Sequence, residues 1–322
     1  MPRAGPGSHD FQTHLNPAPH REKSMKAVHT CCLFVLLLLS ALICCCVTSQ
    51  PAVTANVTPA AGASVNTSGV SPTATLFSDA RQMKTIGIIG GVGWSSSAEY
   101  YRIMNEKVQS ELGGDNSAQI LMYSIQFGEF SGQERLAEAG NWTPLNATLV
   151  DAGMRLKRGG ADFIVIASNT LNSRADLIEQ STGLPVLRIY DVTGAAVNKS
   201  GLKKVALLGT KYTMEAPFYR DTLKNKYGID VVVPNATEQD YINNVIFDQL
   251  VRNDIRNDSR EGYIRIINRL VDEEGAQGVI LGCTEIPLLI NQSDVNVPVF
   301  DTTRLHAEAA VDYALSNATT IN

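Results

Sequence analysis

The sequence reads GADFIVIASNT at residues 160–170 and GAQGVILGCTE at residues 275–285, and the two stretches align without gaps. In both copies a short apolar run, typical of a buried parallel β-strand, leads into small and polar residues. The alignment places Ser168 at the position that Cys283 occupies in the second copy. Repetition of this kind predicts two similar structural units.

A second pair of stretches extends the repeat. Residues 84–91 read KTIGIIGG, and residues 203–210 read KKVALLGT. Strand and helix patterns alternate after each stretch, which predicts the α/β class with two pseudo-symmetric domains, each a small parallel sheet flanked by helices. We expect the first domain to comprise residues 83–190 plus 300–322 and the second to comprise residues 191–299.

Two local expectations concern the first unit. A strand is predicted over residues 118–127, and a helix with serine caps is predicted over residues 95–112. The helical spacing places Tyr101, Met104, Val108 and Leu112 on one face.

The repeat also indicates where a ligand would bind. Ligands of open parallel sheets bind beyond the carboxyl ends of the strands. Ser168, Cys283 and the loops over residues 91–97 and 210–213 all follow predicted strands. The sequence therefore predicts an active site in the interdomain cleft, with Ser168 on one side and Cys283 on the other.

Residues 1–49 resemble a secretory signal with a polar N-terminal extension. Arg21, Lys23 and Lys26 precede an apolar run over residues 31–47, and cleavage could follow Ser49. An uncleaved signal anchor, which would hold the protein at a membrane, is the alternative, because a run of this length just spans a bilayer. Residues 50–82 are rich in Ser, Thr, Ala and Pro and are expected to form a disordered stalk.

Acceptor sites for N-glycosylation point to the same compartment. We expect a secreted glycoprotein, or one anchored at the extracellular face. The nine Asn-x-Ser/Thr sites are Asn56, Asn66, Asn141, Asn146, Asn198, Asn235, Asn257, Asn291 and Asn317.

Composition argues against several classes of function. The net charge is -5 and the body of the chain has no basic cluster, so nucleic-acid binding has little support. No Gly-Lys-Ser/Thr triplet is present, which excludes a P-loop, and the glycines near Gly91 lack the third glycine of a dinucleotide fingerprint. His306 is the only histidine after residue 29, so a zinc site with Cys283 would lack ligands.

Cys283 is the only cysteine after residue 46. A free cysteine is often a small buried hydrophobic residue, and that reading is one alternative. The position after a strand, the polar neighbours Thr284 and Glu285, and the predicted oxidising compartment favour a functional thiol.

At these residues the chain resembles the aspartate/glutamate racemase family. The resemblance extends from Met83 to Leu315 and is carried by Asn169-Thr170 and by stretches at residues 84–94, 207–213, 282–285 and 299–308. It implies catalysis without a cofactor, a small dicarboxylic amino acid as the partner, and commonly a homodimer. In this family one residue from each domain flanks the substrate Cα, and proton removal on one face accompanies proton return on the other.

The resemblance also implies roles for individual residues. Cys283 and Ser168 take the catalytic positions. His306 is expected either to support Cys283 without touching the substrate or to be a structural histidine with its own hydrogen-bond partners. The expected substrate-binding residues are Asn169, Thr170, Thr284, Glu285, Gly91, Trp94, Ser95, Gln126, Lys211 and Thr213. Lys211, Arg252 or Arg135 could supply the cation that a distal carboxylate needs.

The chain departs from the family pattern at three positions. Ser168 stands where many members have cysteine, Asn172 where many have histidine, and Ser96 where an acidic residue is common. We therefore expect an asymmetric racemisation of aspartate or glutamate, because a hydroxyl is a much weaker acid than a thiol. The alternatives are a single-cysteine decarboxylase or another enolate-protonating enzyme of the same fold, and a secreted binding protein without catalysis.

Overall fold

A computed structural model describes residues 83–318, 320 and 321 of the 322-residue chain. The predicted signal segment and stalk, residues 1–82, lie outside the described residues. Within the described part, no helix has the length and apolar character needed to cross a membrane.

Two parallel four-stranded sheets form the centre of the molecule, and their strand orders match. The first sheet has the order β2-β1-β3-β4 and the second has the order β6-β5-β7-β8. This shared order confirms the predicted α/β class and the repeat. The strands are β1 (Ile86–Gly90), β2 (Ile120–Ser124), β3 (Phe163–Ile166), β4 (Val186–Leu187), β5 (Lys204–Gly209), β6 (Asp230–Val232), β7 (Val279–Gly282) and β8 (Val299–Asp301).

Helices flank both sheets. They are α1 (Trp94–Leu112), α2 (Phe127–Glu138), α3 (Thr143–Gly159), α4 (Ala175–Thr182), α5 (Ile189–Lys199), α6 (Lys211–Glu215), α7 (Pro217–Tyr227), α8 (Ala236–Asp248), α9 (Asn257–Asp272) and α10 (Thr302–Leu315). Short 3₁₀ turns lie at Thr170–Arg174, Leu250–Arg252, Ile286–Leu288 and Gln292–Asp294.

The central strands are buried on both faces, as their continuous apolar runs predict. In β3, Phe163 and Val165 pack toward α1 and α10, whereas Ile164 and Ile166 pack toward α3 and α4. The second sheet is covered in the same way, by α8 and α9 on one face and by α5 and α7 on the other. Each fully buried aliphatic side chain contributes about 1.5–3 kcal/mol to this packing.

The last helix joins the two halves. β8 pairs with β7 through Phe300 and Asp301, so the second sheet continues past residue 299, where the sequence placed the boundary between domains. The Asp301 carboxylate then accepts hydrogen bonds from the N–H groups of Thr303 and Arg304 and caps α10. α10 packs its alanine-rich face, including Ala310 and Ala314, against the first sheet.

The predicted face of α1 is buried at two of its four residues. Tyr101 is 54% exposed and Leu112 is 41% exposed, while Tyr100 and Ile103 are buried with Met104 and Val108. The helix begins at Trp94 after Gly93, without a side-chain cap. The spacing of apolar residues in α1 fits either of two helix faces. Packing against α10 selects the face that contains Tyr100.

The strand predicted over residues 118–127 was too long. β2 ends at Ser124, and α2 begins at Phe127. The Gln126 side chain accepts a hydrogen bond from the Glu129 N–H at 2.7 Å and caps α2. A glutamine cap is a weak signal, since Ser, Thr, Asp and Asn dominate that position.

Candidate active site

Strand pairing brings the two repeated positions to the same edge of their sheets. β1 pairs with β3 so that Ile89 faces Ile166, and β5 pairs with β7 so that Gly209 faces Gly282. Ser168 and Cys283 follow directly and line one pocket. The other lining residues are Val92, Phe127, Glu134, Ala137, Trp142, Leu145, Asn169, Thr170, Thr210, Tyr212, Ile246, Phe247, Val251, Gly282, Thr284 and Glu285.

Cys283 lies against a carboxylate. Its thiol donates a hydrogen bond to Glu285 Oε2 at 3.1 Å, and both residues are buried. Burial raises the pKa of the Cys283 thiol well above its ordinary value, and the negative charge of Glu285 raises it further. The resting thiol is therefore protonated at neutral pH, with a proton acceptor in contact.

Glu285 occupies a space that a glycine leaves open. Its Oε2 also lies 3.0 Å from the Thr284 hydroxyl, which is 3.2 Å from Ser96 Oγ of α1. Its Oε1 is buried and makes no hydrogen bond among the described residues. A Cβ atom at Gly93 would lie 1.8 Å from this oxygen, so the loop before α1 can approach Glu285 only with glycine at residue 93.

Ser168 has a different environment from Cys283. Its Oγ accepts a long hydrogen bond, 3.4 Å, from the Leu171 N–H, and no carboxylate or imidazole of the described chain is hydrogen bonded to it. Its carbonyl oxygen accepts a hydrogen bond from Asn172 Nδ2 at 2.7 Å, and Asn172 Oδ1 accepts one from the Ile189 N–H at 3.0 Å. Asn172 thus ties the end of β3 to the start of α5.

Asn169 and Thr170 connect the pocket to both halves of the molecule. Asn169 Nδ2 donates to Thr302 Oγ1 at 2.9 Å, while Asn169 Oδ1 is buried and accepts no hydrogen bond from the described residues. The Thr170 hydroxyl lies 2.9 Å from that of Thr210 and 3.1 Å from that of Thr213. A hydroxyl cluster therefore links the first sheet to the loop after β5.

Several residues that the resemblance implies do not line the pocket. Trp94 is 65% exposed, and its neighbour Ser95 lies in the first turn of α1. Gly91 has a φ of 89°, and a Cβ atom there would lie 2.2 Å from the Ile125 carbonyl oxygen, so this glycine serves backbone packing. Gln126 caps α2.

Two polar residues of the second half also lie outside the lining. Thr213 is fully buried, and its hydroxyl contacts the hydroxyls of two lining residues, Thr170 and Thr210. The Lys211 ammonium pairs with Asp240 at 2.7 Å. Lys211 is thus committed to a surface ion pair on α8.

His306 is a buried tie between α10 and the first sheet. Its Nε2–H donates to the Leu187 carbonyl oxygen at 2.9 Å, so Nδ1 is the acceptor from the Tyr100 hydroxyl, also at 2.9 Å. Burial lowers the pKa of His306 to about 4. Its hydrogen bonds run to α1 and β4 and not to Cys283, which agrees with the structural reading of this histidine.

The sequence matches a known protein family over most of the folded part. A family model described as Asp/Glu/Hydantoin racemase matches residues 89–310, which include Ser168, Cys283 and all eight strands except the start of β1. The chain belongs to this family.

Solved structures and a curated relative agree with the family. A candidate Asp/Glu racemase of Yersinia pestis is 45% identical, covers 73% of this chain and 100% of its own, and has a TM-score of 0.66. An aspartate racemase homologue of Pyrococcus horikoshii OT3 is 37% identical, covers 73% and 100% of the two chains, and has a TM-score of 0.62. A broad specificity amino-acid racemase of Bacillus subtilis (strain 168) is 22% identical over 237 residues, 72% of this chain and 98% of its own.

The sequence did not predict which residues form the walls of the pocket. They are mainly apolar and come from both halves of the molecule. The first half contributes Val92, Phe127, Ala137, Trp142 and Leu145, and the second contributes Tyr212, Ile246, Phe247 and Val251. Val92 and Tyr212 fall within the stretches that carry the family resemblance, and the other wall residues lie on helices and turns outside those stretches.

Trp142 connects the two walls. Its ring centroid lies 5.1 Å from that of Tyr212, and the Arg174 guanidinium stacks on it at 3.6 Å. The pocket has an internal volume of about 40 Å³. That volume holds only roughly three water molecules. An amino acid can therefore bind in this racemase-family pocket only when a wall side chain moves.

Proposed function

We propose that this protein racemises an amino acid at Cα, with Cys283 and Ser168 as the groups that exchange protons with the two faces of the substrate. One observation carries the proposal: equivalent ends of two repeated sheets place a thiol and a hydroxyl in a single pocket. Membership of the Asp/Glu/Hydantoin racemase family supports the same chemistry.

Cys283 serves as the proton donor in its resting form. Because burial and Glu285 raise its pKa, the thiol holds a proton that it can deliver to a carbanion at Cα. In the opposite direction the thiol must first lose this proton. Glu285 Oε2, at 3.1 Å, is the acceptor already in place.

Ser168 exchanges protons more slowly. An alcohol is a weak acid and needs an adjacent base to act as one, and the hydroxyl of Ser168 has no such base among the described residues. The reaction is therefore asymmetric: the step at Cys283 is fast, and the step at Ser168 proceeds slowly or through a water molecule.

The pocket offers groups for both ends of an α-amino acid. The backbone N–H groups of Asn169, Thr170 and Thr284 have no acceptor among the described residues, so they can donate to the α-carboxylate and to the charge that develops on it. Asn169 Oδ1, buried without a donor, can accept a hydrogen bond from the α-ammonium group.

The basic residues near the pocket bear on which side chain the substrate carries. The resemblance implies aspartate or glutamate, whose distal carboxylate requires a cation. Lys211 is paired with Asp240, and Arg135 and Arg252 line a neighbouring groove between α2 and α8 and not the pocket of Cys283. Within the described part of the chain, the lining of the pocket thus supplies no cation for a distal carboxylate.

Exchange of the Cα proton with solvent tests the proposal. The full chain is incubated in D₂O with L- and D-enantiomers of a panel of amino acids, and deuterium content and chirality are measured separately by mass spectrometry and chiral chromatography. We expect one enantiomer to incorporate deuterium faster than it inverts. Equal incorporation in both enantiomers at the rate of inversion would contradict the asymmetry.

Two variants assign the steps. Cys283→Ala should abolish exchange, because the fast proton donor is lost. Ser168→Cys should raise the rate of inversion, since a thiol replaces the weaker hydroxyl. Exchange that survives in Cys283→Ala would remove Cys283 from the mechanism.

A second candidate is decarboxylation of a disubstituted malonate, in which a thiol only protonates an enediolate. The single protonated thiol, with Ser168 in the place of a second one, favours it. Release of CO₂ from an alkylmalonate, with no Cα exchange on any amino acid, would select this reaction over racemisation.

A further inference from the structure

The charge of the pocket lining is one-sided. Among the lining residues of the described chain, the charged ones are Glu134 and Glu285, and none is Lys, Arg or His. Both carboxylates act on Cys283, since the negative charge of each raises the pKa of the thiol. The charged side chains of the pocket lining itself are therefore acidic.

The nearby basic residues are engaged or placed elsewhere. Lys211 pairs with Asp240, and Arg174 stacks on the face of Trp142 and does not line the pocket. Arg135 and Arg252 are exposed and line the outer groove, which shares Phe127, Glu134, Phe247 and Val251 with the pocket, and neither arginine lines the pocket itself.

The remaining walls are suited to an uncharged side chain. Trp142 and Leu145 stand on one side, and Ile246 and Val251 on the other. Burying a carboxylate without a cation or a set of hydrogen-bond donors is strongly unfavourable, whereas burying an aliphatic group against such walls is favourable. The walls thus select by attraction to apolar groups and by rejection of a second carboxylate.

We propose that the site takes neutral amino acids with aliphatic or thioether side chains, in preference to aspartate and glutamate, and that Trp142, Leu145, Ile246 and Val251 form the side-chain compartment. This inference rests on the proposed racemisation, because it assumes that Cα lies between Cys283 and Ser168. It separates this chain from the two acidic amino acids in the family description.

Rates of Cα exchange provide the first test. The purified full chain is incubated in D₂O with leucine, methionine, aspartate and glutamate, and kcat/KM for deuterium incorporation is compared. We expect leucine and methionine to exceed the two acidic amino acids at least tenfold. Equal or faster exchange of aspartate or glutamate would overturn the inference and leave racemisation standing.

Binding provides the second test, which does not depend on turnover. The chain has two tryptophans, and Trp94 is exposed, so the Trp94→Phe variant reports on Trp142 alone. If no amino acid exchanges, the proposed racemisation fails, and fluorescence titration still decides the side chain. Leucine binding at least tenfold more tightly than aspartate supports the compartment; aspartate binding as tightly, or neither binding, overturns it.

A charge placed in the compartment tests its location. Val251→Lys puts a cation beside the walls, and Ile255→Lys puts the same cation on a nearby residue that does not line the pocket. We expect Val251→Lys to raise the ratio of aspartate to leucine exchange, or of their affinities, about tenfold. Ile255→Lys should leave the ratio unchanged within twofold. The same ratio in both variants would show that Val251 does not contact the substrate side chain.

Discussion

The thiol of Cys283 donates a hydrogen bond to the carboxylate of Glu285 across 3.1 Å, and both groups are buried. Burial keeps the proton on sulfur, and the charge of Glu285 reinforces this preference. The resting thiol therefore holds its proton, and in the proposed reaction Glu285 is the group that accepts it.

We predict that Glu285→Gln slows Cα exchange at least a hundredfold, which is the usual contribution of a positioned acid or base. The amide removes the acceptor for the thiol proton and keeps nearly the same volume. The rate of deuterium incorporation is the measurement, and Glu273→Gln, an exposed carboxylate on the surface, is the matched control. A rate near that of the unchanged protein would show that the thiol loses its proton to water instead.

His306 is buried and hydrogen bonded to Tyr100 and Leu187, and we expect it to act on stability. Burial lowers its pKa from 6.5 to about 4, so the folded protein binds this proton less readily than the unfolded chain does. The stabilisation is therefore present above pH 6.5 and is lost as the pH falls toward 4. Linkage gives a loss of about 2 kcal/mol between pH 7 and pH 5 from this group.

We predict that His306→Gln removes this share of the pH dependence. The variant is expected to be less stable at pH 7, because the hydrogen bonds to Tyr100 and Leu187 change, but its free energy of unfolding should fall by about 2 kcal/mol less than that of the unchanged protein between pH 7 and pH 5. Urea unfolding at both pH values measures the difference. If the variant and the unchanged protein show the same pH dependence, then His306 is charged at pH 5 in the folded protein.

At the scale of elements, the loop between β1 and α1 positions Glu285 by leaving room for it. Gly93 carries no Cβ atom, and its φ of 166° is extended backbone that any residue can adopt, so space and not strain requires the glycine. We predict that Gly93→Ala moves the Glu285 carboxylate and lowers the exchange rate at least tenfold.

Gly132→Ala is the control for that change. A Cβ atom there would meet only the end of the Arg135 side chain at 3.9 Å, and residue 132 lies within α2. Alanine at such a helical position is expected to be neutral or to stabilise by up to about 1 kcal/mol. If Gly93→Ala exchanges as fast as Gly132→Ala, then Glu285 does not act from its present position.

The strands and the residues at their ends could be predicted from the sequence. Parallel strands buried on both faces, such as Phe163–Ile166, are continuous apolar runs, and the turn that follows each run carries the site residues within a few positions. Ser168, Asn169, Thr170, Cys283, Thr284 and Glu285 therefore appeared in the prediction and line the pocket.

The helices and the walls were harder to predict for physical reasons. α2 follows β2 after a glutamine cap, and α1 admits two apolar phases that only packing with α10 distinguishes. The walls combine residues from α2, α3 and α8, whose meeting depends on how the two sheets are arranged. Local pattern contains no information about that arrangement.

At the scale of the whole molecule, the two sheets are tied by chain crossings as well as by the site. α5 begins at the end of β4 and packs on the second sheet, and α10 begins at the end of β8 and packs on the first. The Thr170 hydroxyl cluster adds a polar link at the pocket. Movement of a wall to admit substrate is therefore limited by these connections.

The compartment in which the molecule acts stays a prediction, and its surface allows a direct test. Of the acceptor asparagines in the described residues, the exposed ones are Asn141, Asn198, Asn235, Asn257, Asn291 and Asn317. Asn235 and Asn291 use only their Oδ1 atoms as helix caps. The Nδ2 atoms of Asn235 and Asn291, to which a glycan would be attached, make no such bond. Asn146 differs, because its Oδ1 is buried and a glycan there would conflict with the packing of α3.

We predict that the full chain, produced in cells that glycosylate secreted proteins, carries N-glycans at exposed sites and none at Asn146. Treatment with an N-glycosidase should lower the mass by several glycans, and Asn198→Gln should remove one of them, whereas Asn146→Gln should leave the mass loss unchanged. The physical reason is that a glycan adds a large hydrated group, which a folded chain tolerates only where the asparagine faces solvent. A protein whose mass does not change on treatment would contradict the secretory route, and a glycan at Asn146 on folded, active protein would contradict the packing of α3.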